Sequence, residues 1–284
     1  MLRDLCGDFI CLPYGAPDVM AALPDPWQHG AGSGIPEDRW FHGISANAPW
    51  EIIPEPNDPT RAAMVLLPPD AHPVSKLERR VALLPDRPGY EVELRITARH
   101  GVQFPVSMHP CFHLPKEPGT LRLEIANAGR GWTYPLPVVP EHAPVAVNAR
   151  FDSLNAVPRA DGGGMDLTML PPPERCEALL QIPAPDREIR LLYDQAGYGV
   201  RFTYDAELLP SLVIWISNRG RDEAPFDGNF RTIGIEAVAG AFDLGPPVSN
   251  WSGNPIAAEG ISTAVPLRAG QELTTQSTIT IDAL

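Results

Sequence analysis

The sequence predicts an all-β protein, a large sandwich in which two sheets of antiparallel strands pack face to face. Three observations favour this fold. Many short segments alternate apolar and polar residues with a period of two. Proline, 34 of 284 residues, is spread along the whole chain and separates many short elements. No segment has a convincing amphipathic helical pattern, so sheets must form the core.

The alternating segments are the predicted strands, taken in chain order. Residues 90–98, 121–125, 189–193 and 200–204 each place apolar side chains at every second position, as half-buried antiparallel strands do. Residues 212–216 are continuously apolar and predict a central strand buried on both faces. Residues 277–281 predict a closing strand. The best helical candidate, residues 75–84, is short and ends at Pro85.

Length and charge limit the classes of function. All-β sandwiches reach about 250 residues as one domain, so the 284 residues predict a single domain spanning 1–284. The 44% apolar content is enough for a real core. A net charge of −13 argues against nucleic acid or an anionic membrane surface as a partner. Because no run approaches 18 apolar residues, no membrane span is expected.

The cysteines indicate the compartment. Cys6, Cys11, Cys111 and Cys176 form no CxxC pair and predict reduced thiols. Residues 1–7 lack the charged and apolar regions of a signal peptide. We therefore expect a cytoplasmic protein.

The apolar run of residues 232–243 contains one carboxylate, Glu236, at the end of a predicted buried strand. Burying a lone carboxylate costs several kcal/mol unless it is paired, so Glu236 is a candidate general base. His109, in the segment 107–114, is the candidate acid. Alone, each residue has a plainer interpretation: a strand-end charge facing water, or a core or surface histidine. Together across a β cleft, they suit ring opening of a sugar hemiacetal.

Two segments rich in aromatic residues and glycine, 5–15 and 40–51, suit a sugar site. Sugars offer an apolar face to aromatic rings and a rim of hydroxyls to polar side chains. The alternative for each segment is a turn whose tryptophan packs in the core.

Four motifs follow one another along residues 7–243. They are GDFICLPYG at 7–15 with His42-Gly43 and Asn47-x-x-Trp50, then HPCFHL at 109–114, LVIWISN at 212–218, and Ile235-Glu236. In this order they resemble the aldose 1-epimerase and hexose-6-phosphate mutarotase families, the galactose mutarotase-like proteins. The resemblance implies a large β-sandwich that interconverts the anomers of a monosaccharide without metal or cofactor. The residues that it places in the cleft are Trp40, His42, Asn47, His109 and Glu236, with Asp8, His113 and Asn218 as further substrate-binding candidates.

Two departures from the families refine the expectation. Galactose-type mutarotases carry a second active-site histidine downstream of the first, but after His113 only His142 remains, in a proline-flanked turn. The sugar-phosphate type carries an arginine shortly after the His-Gly pair, and here that stretch is Ile44-Ser45-Ala46. A guanidinium is the best bidentate phosphate donor, so a neutral sugar is favoured.

In the implied mechanism Glu236 takes the proton from the anomeric hydroxyl and His109 donates one to the ring oxygen. From ordinary pKa values of about 4.3 and 6.5, an ionised Glu236 and a partly protonated His109 are expected near neutral pH.

Two other classes of function remain open. One is a sugar-binding or regulatory protein that has the pocket and no turnover. The other is a metal-dependent enzyme of the cupin kind, suggested by His109-x-x-x-His113. That spacing suits a helix, but Pro105, Pro110 and Pro115 oppose one. On a strand the two rings lie roughly 13 Å apart, too far for one zinc ion. The sequence determines neither the sugar nor the oligomeric state.

Overall fold

The structure, a computed structural model, describes residues 7–18, 22–28, 35, 38–55, 58–126, 128, 130–183 and 187–284. Leu5 and Cys6, at the start of the first aromatic segment, lie outside these residues. The prediction of an all-β fold is confirmed. Among the described residues, strands predominate and the α-helices are two segments of five residues each.

The elements are numbered in chain order. The strands are β1 Gly7–Cys11, β2 Glu51–Ile53, β3 Arg61–Leu66, β4 Val74–Leu83, β5 Gly89–Ala98, β6 Val102–Phe104, β7 Val106–His113, β8 Leu121–Ile125, β9 Gly131–Thr133, β10 Arg150–Phe151, β11 Val157–Pro158, β12 Gly164–Met165, β13 Met169–Leu170, β14 Cys176–Pro183, β15 Glu188–Tyr193, β16 Tyr198–Tyr204, β17 Ser211–Asn218, β18 Arg231–Ala239, β19 Val265–Leu267 and β20 Glu272–Ala283. The α-helices are α1 Gly43–Asn47 and α2 Gly245–Ser249. Short 3₁₀ turns occupy Pro140–His142, Leu154–Ala156, Asp194–Ala196 and Ala257–Glu259.

Two large antiparallel sheets form the sandwich. The seven-stranded sheet has the order β1-β7-β18-β17-β14-β9-β10. The nine-stranded sheet has the order β13-β8-β15-β16-β20-β5-β4-β3-β2. One continuous apolar core contains residues from both sheets, such as Leu94 and Ile96 of β5 with Ile214 and Ile216 of β17. The alternation of β-strand side chains therefore directs one face of each sheet into this core.

The seven-stranded sheet is also covered on its other face. On β17, Leu212, Ile214 and Ile216 belong to the core between the sheets, whereas Val213 and Trp215 contact a second apolar cluster. This second cluster includes Tyr14, Trp27 and Phe242, which come from outside the large strands. The prediction that residues 212–216 form a strand buried on both faces is thus confirmed.

The helical candidate at 75–84 is a strand, β4. It pairs with β3 on one side and with β5 on the other. The pairing with β5 shifts register between Val74 and Lys76. A sheet that hydrogen-bonds both edges of a segment overrides a weak local helical pattern.

The position of Glu236 also differs from the prediction. The strand does not end at Glu236 but continues to Ala239. Ile235 and Ala237 face the core between the sheets, so alternation directs Glu236 to the opposite face, together with Gly234. Because β18 is covered on both faces, its sequence carries no period-two signal of this orientation.

Cys11, Cys111 and Cys176 are buried thiols that form no disulfide among the described residues, and Cys6 lies outside that part of the chain. Among the described residues, no helix is long and apolar enough to cross a membrane.

Candidate active site

A cavity of about 780 Å³ lies on the outer face of the seven-stranded sheet. Strand residues form its floor, and the segment around α1, the loop between β17 and β18, and the chain after β18 form its walls. A volume in this range suits a small molecule. The residues that line it are Gly7, Asp8, Phe9, Tyr14, Phe41, His42, Ala46, Asn47, His109, Val138, Leu179, Trp215, Arg221, Phe226, Glu236 and Asp243.

The sheet register brings Glu236 and His109 together. Strand β18 pairs antiparallel with β7, with Gly234 opposite Cys111 and Ala237 opposite Met108. Glu236 therefore faces His109 across the two strands, and Nε2 of His109 lies 3.2 Å from Oε1 of Glu236. Both side chains are almost completely buried, at 5% and 3% exposure. The predicted acid and base are thus in direct contact.

The second oxygen of Glu236 is also occupied. The Tyr14 hydroxyl donates a hydrogen bond of 2.5 Å to Oε2, so both carboxylate oxygens have a partner. Gly234 leaves the space for this arrangement. A Cβ atom at Gly234 would lie 3.2 Å from Oε1 of Glu236 and 3.3 Å from Cε1 of His109. A side chain at position 234 would therefore crowd the pair.

His109 is held on its other sides by neighbours in the sheet. Phe9 of β1, its cross-strand partner, stacks on the imidazole with ring centroids 4.3 Å apart. The thiol of Cys111 lies 3.5 Å from Nδ1. These contacts direct Nε2 towards Glu236.

Burial sets the protonation of the pair. Desolvation raises the pKa of Glu236 to about 8, and the Tyr14 hydrogen bond opposes this rise. Desolvation also lowers the pKa of His109 to about 3. The neutral form of each group is favoured because a low-dielectric site penalises charge. Near neutral pH the pair therefore holds one titratable proton, on Glu236.

The expectation of an ionised Glu236 beside a partly protonated His109 is therefore wrong. It used the pKa values of solvated side chains, whereas both groups are buried. A carboxylate beside an imidazolium nevertheless carries the same single proton as the neutral pair. Moving the shared proton across the 3.2 Å contact from Glu236 to His109 produces a carboxylate and an imidazolium.

The pair predicts a loss of stability in alkaline solution. The ordinary pKa of histidine is 6.5, and the pKa of buried Glu236 is about 8. Between these two pH values the unfolded pair binds no proton, whereas the folded pair binds one. Rising pH in this window therefore favours unfolding, by up to about 1.4 kcal/mol per pH unit. We expect urea unfolding of the wild type to show this slope. The double variant Glu236→Gln with His109→Asn should lack it, and an identical slope in both proteins would contradict the assignment.

His42 is the second histidine of the cavity, and its tautomer follows from its contacts. The backbone N–H of Gly15 donates to Nδ1 of His42 over 3.2 Å, so in the neutral ring the proton is on Nε2. Desolvation lowers the pKa of His42, which keeps the ring neutral. The ring stacks on Tyr14 at 5.1 Å and meets His109 edge-on at 5.6 Å. His42 thus carries an N–H donor next to the pair.

Gly15 links two walls of the cavity. Besides donating to His42, it accepts a 2.8 Å hydrogen bond from the backbone N–H of His42. Its φ is +92°, and a Cβ there would lie 2.4 Å from the backbone oxygen of Asp243. The glycine is therefore required both by its backbone conformation and by close contact with the chain after β18.

Several solved structures match almost the whole chain. A provisionally named aldose 1-epimerase from Escherichia coli K12 is 16% identical, with a TM-score of 0.63, and the match covers 98% of this chain and 84% of that one. A galactose mutarotase related enzyme from Lactobacillus acidophilus is 15% identical, with a TM-score of 0.61 and coverage of 97% and 83%. A galactose mutarotase-like protein from Lactobacillus casei is 16% identical, with a TM-score of 0.60 and coverage of 97% and 84%. The chain has the galactose mutarotase-like fold.

At these identities the likeness establishes the fold alone. No protein-family model and no curated protein sequence matches the chain. The second histidine that lines this cavity is His42, upstream of His109. His142 lies in the 3₁₀ turn Pro140–His142, and its Nε2 is 3.5 Å from Asp222.

The cavity brings together five of the predicted site residues: His109, Glu236, His42, Asn47 and Asp8. The amide of Asn47 donates to the backbone oxygens of Phe41 and Gly43, which fixes the α1 wall. Asp8 contributes to the lining, but its carboxylate forms an ion pair with Arg79 of β4. Alternation places the Asp8 side chain on the same face of β1 as Ile10, a residue of the inter-sheet core. Asp8 therefore connects the two sheets.

The structure places three predicted residues outside the cavity lining. Trp40 is 56% exposed in the turn before His42. His113 is the exposed last residue of β7, and its backbone oxygen accepts from the Tyr193 hydroxyl. The side-chain amide of Asn218 donates to the backbone oxygens of Pro172 and Glu174, so this residue holds a loop.

Eleven of the described lining residues were not among the predicted site residues, and they include Tyr14, Arg221, Phe226 and Asp243. Tyr14 lies inside the first motif and Asp243 at the end of the apolar run with Glu236, so a search for polar residues within these segments would have found them. Arg221 and Phe226 lie in the loop between β17 and β18, where no sequence pattern marks them. Among the described residues, no group of three or more His, Cys, Asp or Glu side chains could hold a metal ion.

The hydroxyl of Tyr14 predicts a shift in the pH dependence of the site. Because its hydrogen bond lowers the pKa of Glu236, Tyr14→Phe should raise that pKa further and move the alkaline limb of the stability profile to higher pH. Urea unfolding at a series of pH values measures this limb. Tyr134→Phe instead removes the hydroxyl that hydrogen-bonds to Asp243, and it should leave the limb in place. An unchanged limb in Tyr14→Phe would mean that Glu236 does not set it.

Proposed function

We propose that this protein is an aldose 1-epimerase that interconverts the α and β anomers of a neutral monosaccharide. The contact between the buried Glu236 carboxyl and the His109 imidazole, 3.2 Å apart at the floor of a cavity, carries the proposal. Mutarotation needs one proton acceptor and one proton donor at two oxygens bonded to the same carbon. Two proton-transfer groups in contact with each other match that requirement.

The mechanism begins with the single proton of the pair. Transfer of this proton from Glu236 to His109 gives the carboxylate and the imidazolium. Glu236 then accepts the proton of the anomeric hydroxyl while His109 donates its proton to the ring oxygen, and the bond between C1 and the ring oxygen breaks. The open-chain aldehyde rotates about C1–C2, and the ring hydroxyl adds to either face of the carbonyl. Its proton returns to His109, and Glu236 returns a proton to the anomeric oxygen.

No net proton is gained or lost in this cycle, so the active form is the pair with one proton. Each group is expected to contribute about 10²–10⁴-fold. The rate should fall as pH rises through about 8, where Glu236 loses the shared proton. The N–H at Nε2 of His42 supplies a further donor that can bind a sugar oxygen.

The charges around the cavity support a neutral substrate. Arg221 is the one arginine or lysine among the described residues that line it. Its Nε lies 3.4 Å from Glu177 and its Nη1 lies 3.5 Å from Glu223, so two carboxylates already neutralise it. Glu236 and Asp243 line the same cavity. A phosphorylated or carboxylated sugar would therefore meet more acidic than basic side chains.

Polarimetry tests the proposal directly. Freshly dissolved α-anomers of glucose, galactose, arabinose, fucose and rhamnose should each be followed with and without the protein. Acceleration of at least one sugar above the buffer rate, abolished by Glu236→Gln, supports an epimerase. A folded wild-type protein without effect on the panel would contradict it.

A sugar-binding protein without turnover is the second candidate. One observation favours it: burial raises the pKa of Glu236 to about 8, so Glu236 retains its proton near neutral pH and is not poised as a base. The fluorescence of Trp215, which lines the cavity, should then respond to millimolar sugar while polarimetry shows no acceleration. Trp215→Phe should remove this response, whereas Trp40→Phe, outside the cavity lining, should retain it.

A further inference from the structure

We propose that Asp243 binds a sugar hydroxyl away from the anomeric carbon and so selects sugars that carry a free hydroxyl at one particular ring position. The inference rests on the proposed sugar site and names the substrate class more narrowly. It assigns a recognition role to a residue that the proposed proton transfers do not use.

In the described part of the chain, three carboxyl side chains line the cavity, and Arg79 pairs with one of them, Asp8. A tyrosine hydroxyl binds each of the other two, Glu236 and Asp243. Tyr14 donates to Oε2 of Glu236, and Tyr134 hydrogen-bonds the Asp243 side chain. The second oxygen of each of these two carboxyl groups has a different environment. Oε1 of Glu236 contacts His109, whereas Oδ1 of Asp243 is buried and has no hydrogen-bond partner among the described residues. Asp243 therefore brings an unsatisfied acceptor to the cavity lining.

A buried acceptor without a partner is destabilising, so a ligand that supplies a donor recovers the free energy lost by its desolvation. Sugar hydroxyls are such donors. An ionised carboxylate accepts hydrogen bonds and repels anions, so it distinguishes a hydroxyl from a phosphate, a carboxylate or an ether at the same place. Burial raises the pKa of Asp243, and the hydrogen bond from Tyr134, a backbone hydrogen bond and the nearby Arg221 oppose this rise, each of which favours the accepting, ionised form.

The backbone around Asp243 is fixed before any ligand arrives. Its carbonyl oxygen accepts a 2.9 Å hydrogen bond from the N–H of Ala16. The side chain of Gln181 accepts from the N–H of Phe242 over 2.6 Å and donates to the backbone oxygen of Gly240 over 2.8 Å. The hydroxyl of Ser249 accepts from the N–H of Ala241 over 3.0 Å. A polar group held this rigidly gives strong discrimination because it cannot move to find another partner.

The test compares hexoses that differ at a single hydroxyl. The accelerated parent sugar, its monodeoxy analogues and its monofluoro analogues, which cannot donate a hydrogen bond, are assayed with the wild type, Asp243→Asn and Asp243→Ala. At one position away from C1, the wild type should lose on the order of 100-fold or more in kcat/KM for both the deoxy and the fluoro sugar. In both Asp243 variants the parent sugar should lose a similar factor, and the gap between parent and analogues should close.

Tyr134→Phe separates binding from positioning. It removes the anchor of Asp243 but retains the carboxylate, so the rate should fall while the preference for the same hydroxyl remains. Thermal unfolding of each variant verifies that it is folded.

Binding of the same sugars, followed by Trp215 fluorescence, distinguishes failure of this inference from failure of the epimerase proposal. Position-dependent binding that disappears in the Asp243 variants, without turnover in the wild type, supports the hydroxyl site and contradicts the epimerase. Turnover without discrimination at any position, or equal discrimination in wild type and Asp243→Asn, overturns the hydroxyl site and leaves the epimerase standing. Absence of both turnover and binding overturns both.

Discussion

Glu236→Gln is expected to abolish detectable enzymatic mutarotation, a loss of about 10²–10⁴-fold in kcat/KM. Glutamine is nearly isosteric and still hydrogen-bonds to Tyr14, but it cannot accept a proton at neutral pH. Each tenfold loss corresponds to about 1.4 kcal/mol of transition-state stabilisation. Polarimetry over a range of sugar concentrations measures the ratio.

Sugar binding should survive this substitution. Because burial keeps Glu236 neutral near neutral pH, a neutral amide replaces it without introducing an unpaired charge. Fluorescence titration of Trp215 should therefore give a Kd within about threefold of the wild type, less than 1 kcal/mol. If Glu236→Gln retains near-normal turnover, the assignment of the base is wrong.

His109→Asn is expected to lower kcat/KM by about 100-fold, since asparagine cannot donate a full proton to the ring oxygen. The matched control is His113→Asn, the same substitution four residues along β7. His113 is exposed at the end of the strand and does not line the cavity, so its loss should change kcat/KM by less than about threefold, within 1 kcal/mol.

The two histidine variants must be compared at equal stability. His109 is buried against Phe9, so asparagine also removes packing, and thermal unfolding measures that effect. Loss of rate with an unchanged KM and a folded protein supports a role in proton transfer. Equal activity of the two variants would contradict the assignment of His109 as the acid and would favour the N–H of His42 as the proton donor.

The sequence predicted the sheets well because period-two alternation results directly from strand geometry. Segments such as 90–98 and 277–281 lie within β5 and β20. It also drew attention to Glu236, since a carboxylate within an apolar run has no structural purpose there. The segment 75–84 was less clear, because the pairing of β4 with β3 and β5 depends on strands elsewhere in the chain.

The roles of individual polar residues needed the tertiary structure. Asp8 and Asn218 lie in motifs that resemble sugar sites. Yet the carboxylate of Asp8 pairs with Arg79, and the amide of Asn218 donates to backbone oxygens. Tyr14 and Asp243 lie within the segments that the sequence singled out, but only the fold shows that Tyr14 donates to Glu236 and that Asp243 lines the same cavity. A hydrogen-bond partner far away in sequence leaves no local pattern.

The protonation of the site shows most clearly what the sequence determined and what the tertiary structure decided. The sequence by itself determined which two residues, Glu236 and His109, could exchange protons, because their chemistry is a property of residue type. Only the tertiary structure decided that both are buried and in contact, which raises one pKa to about 8 and lowers the other to about 3. The physical reason is that desolvation depends on every atom packed around a group, and those atoms come from strands that only folding brings together.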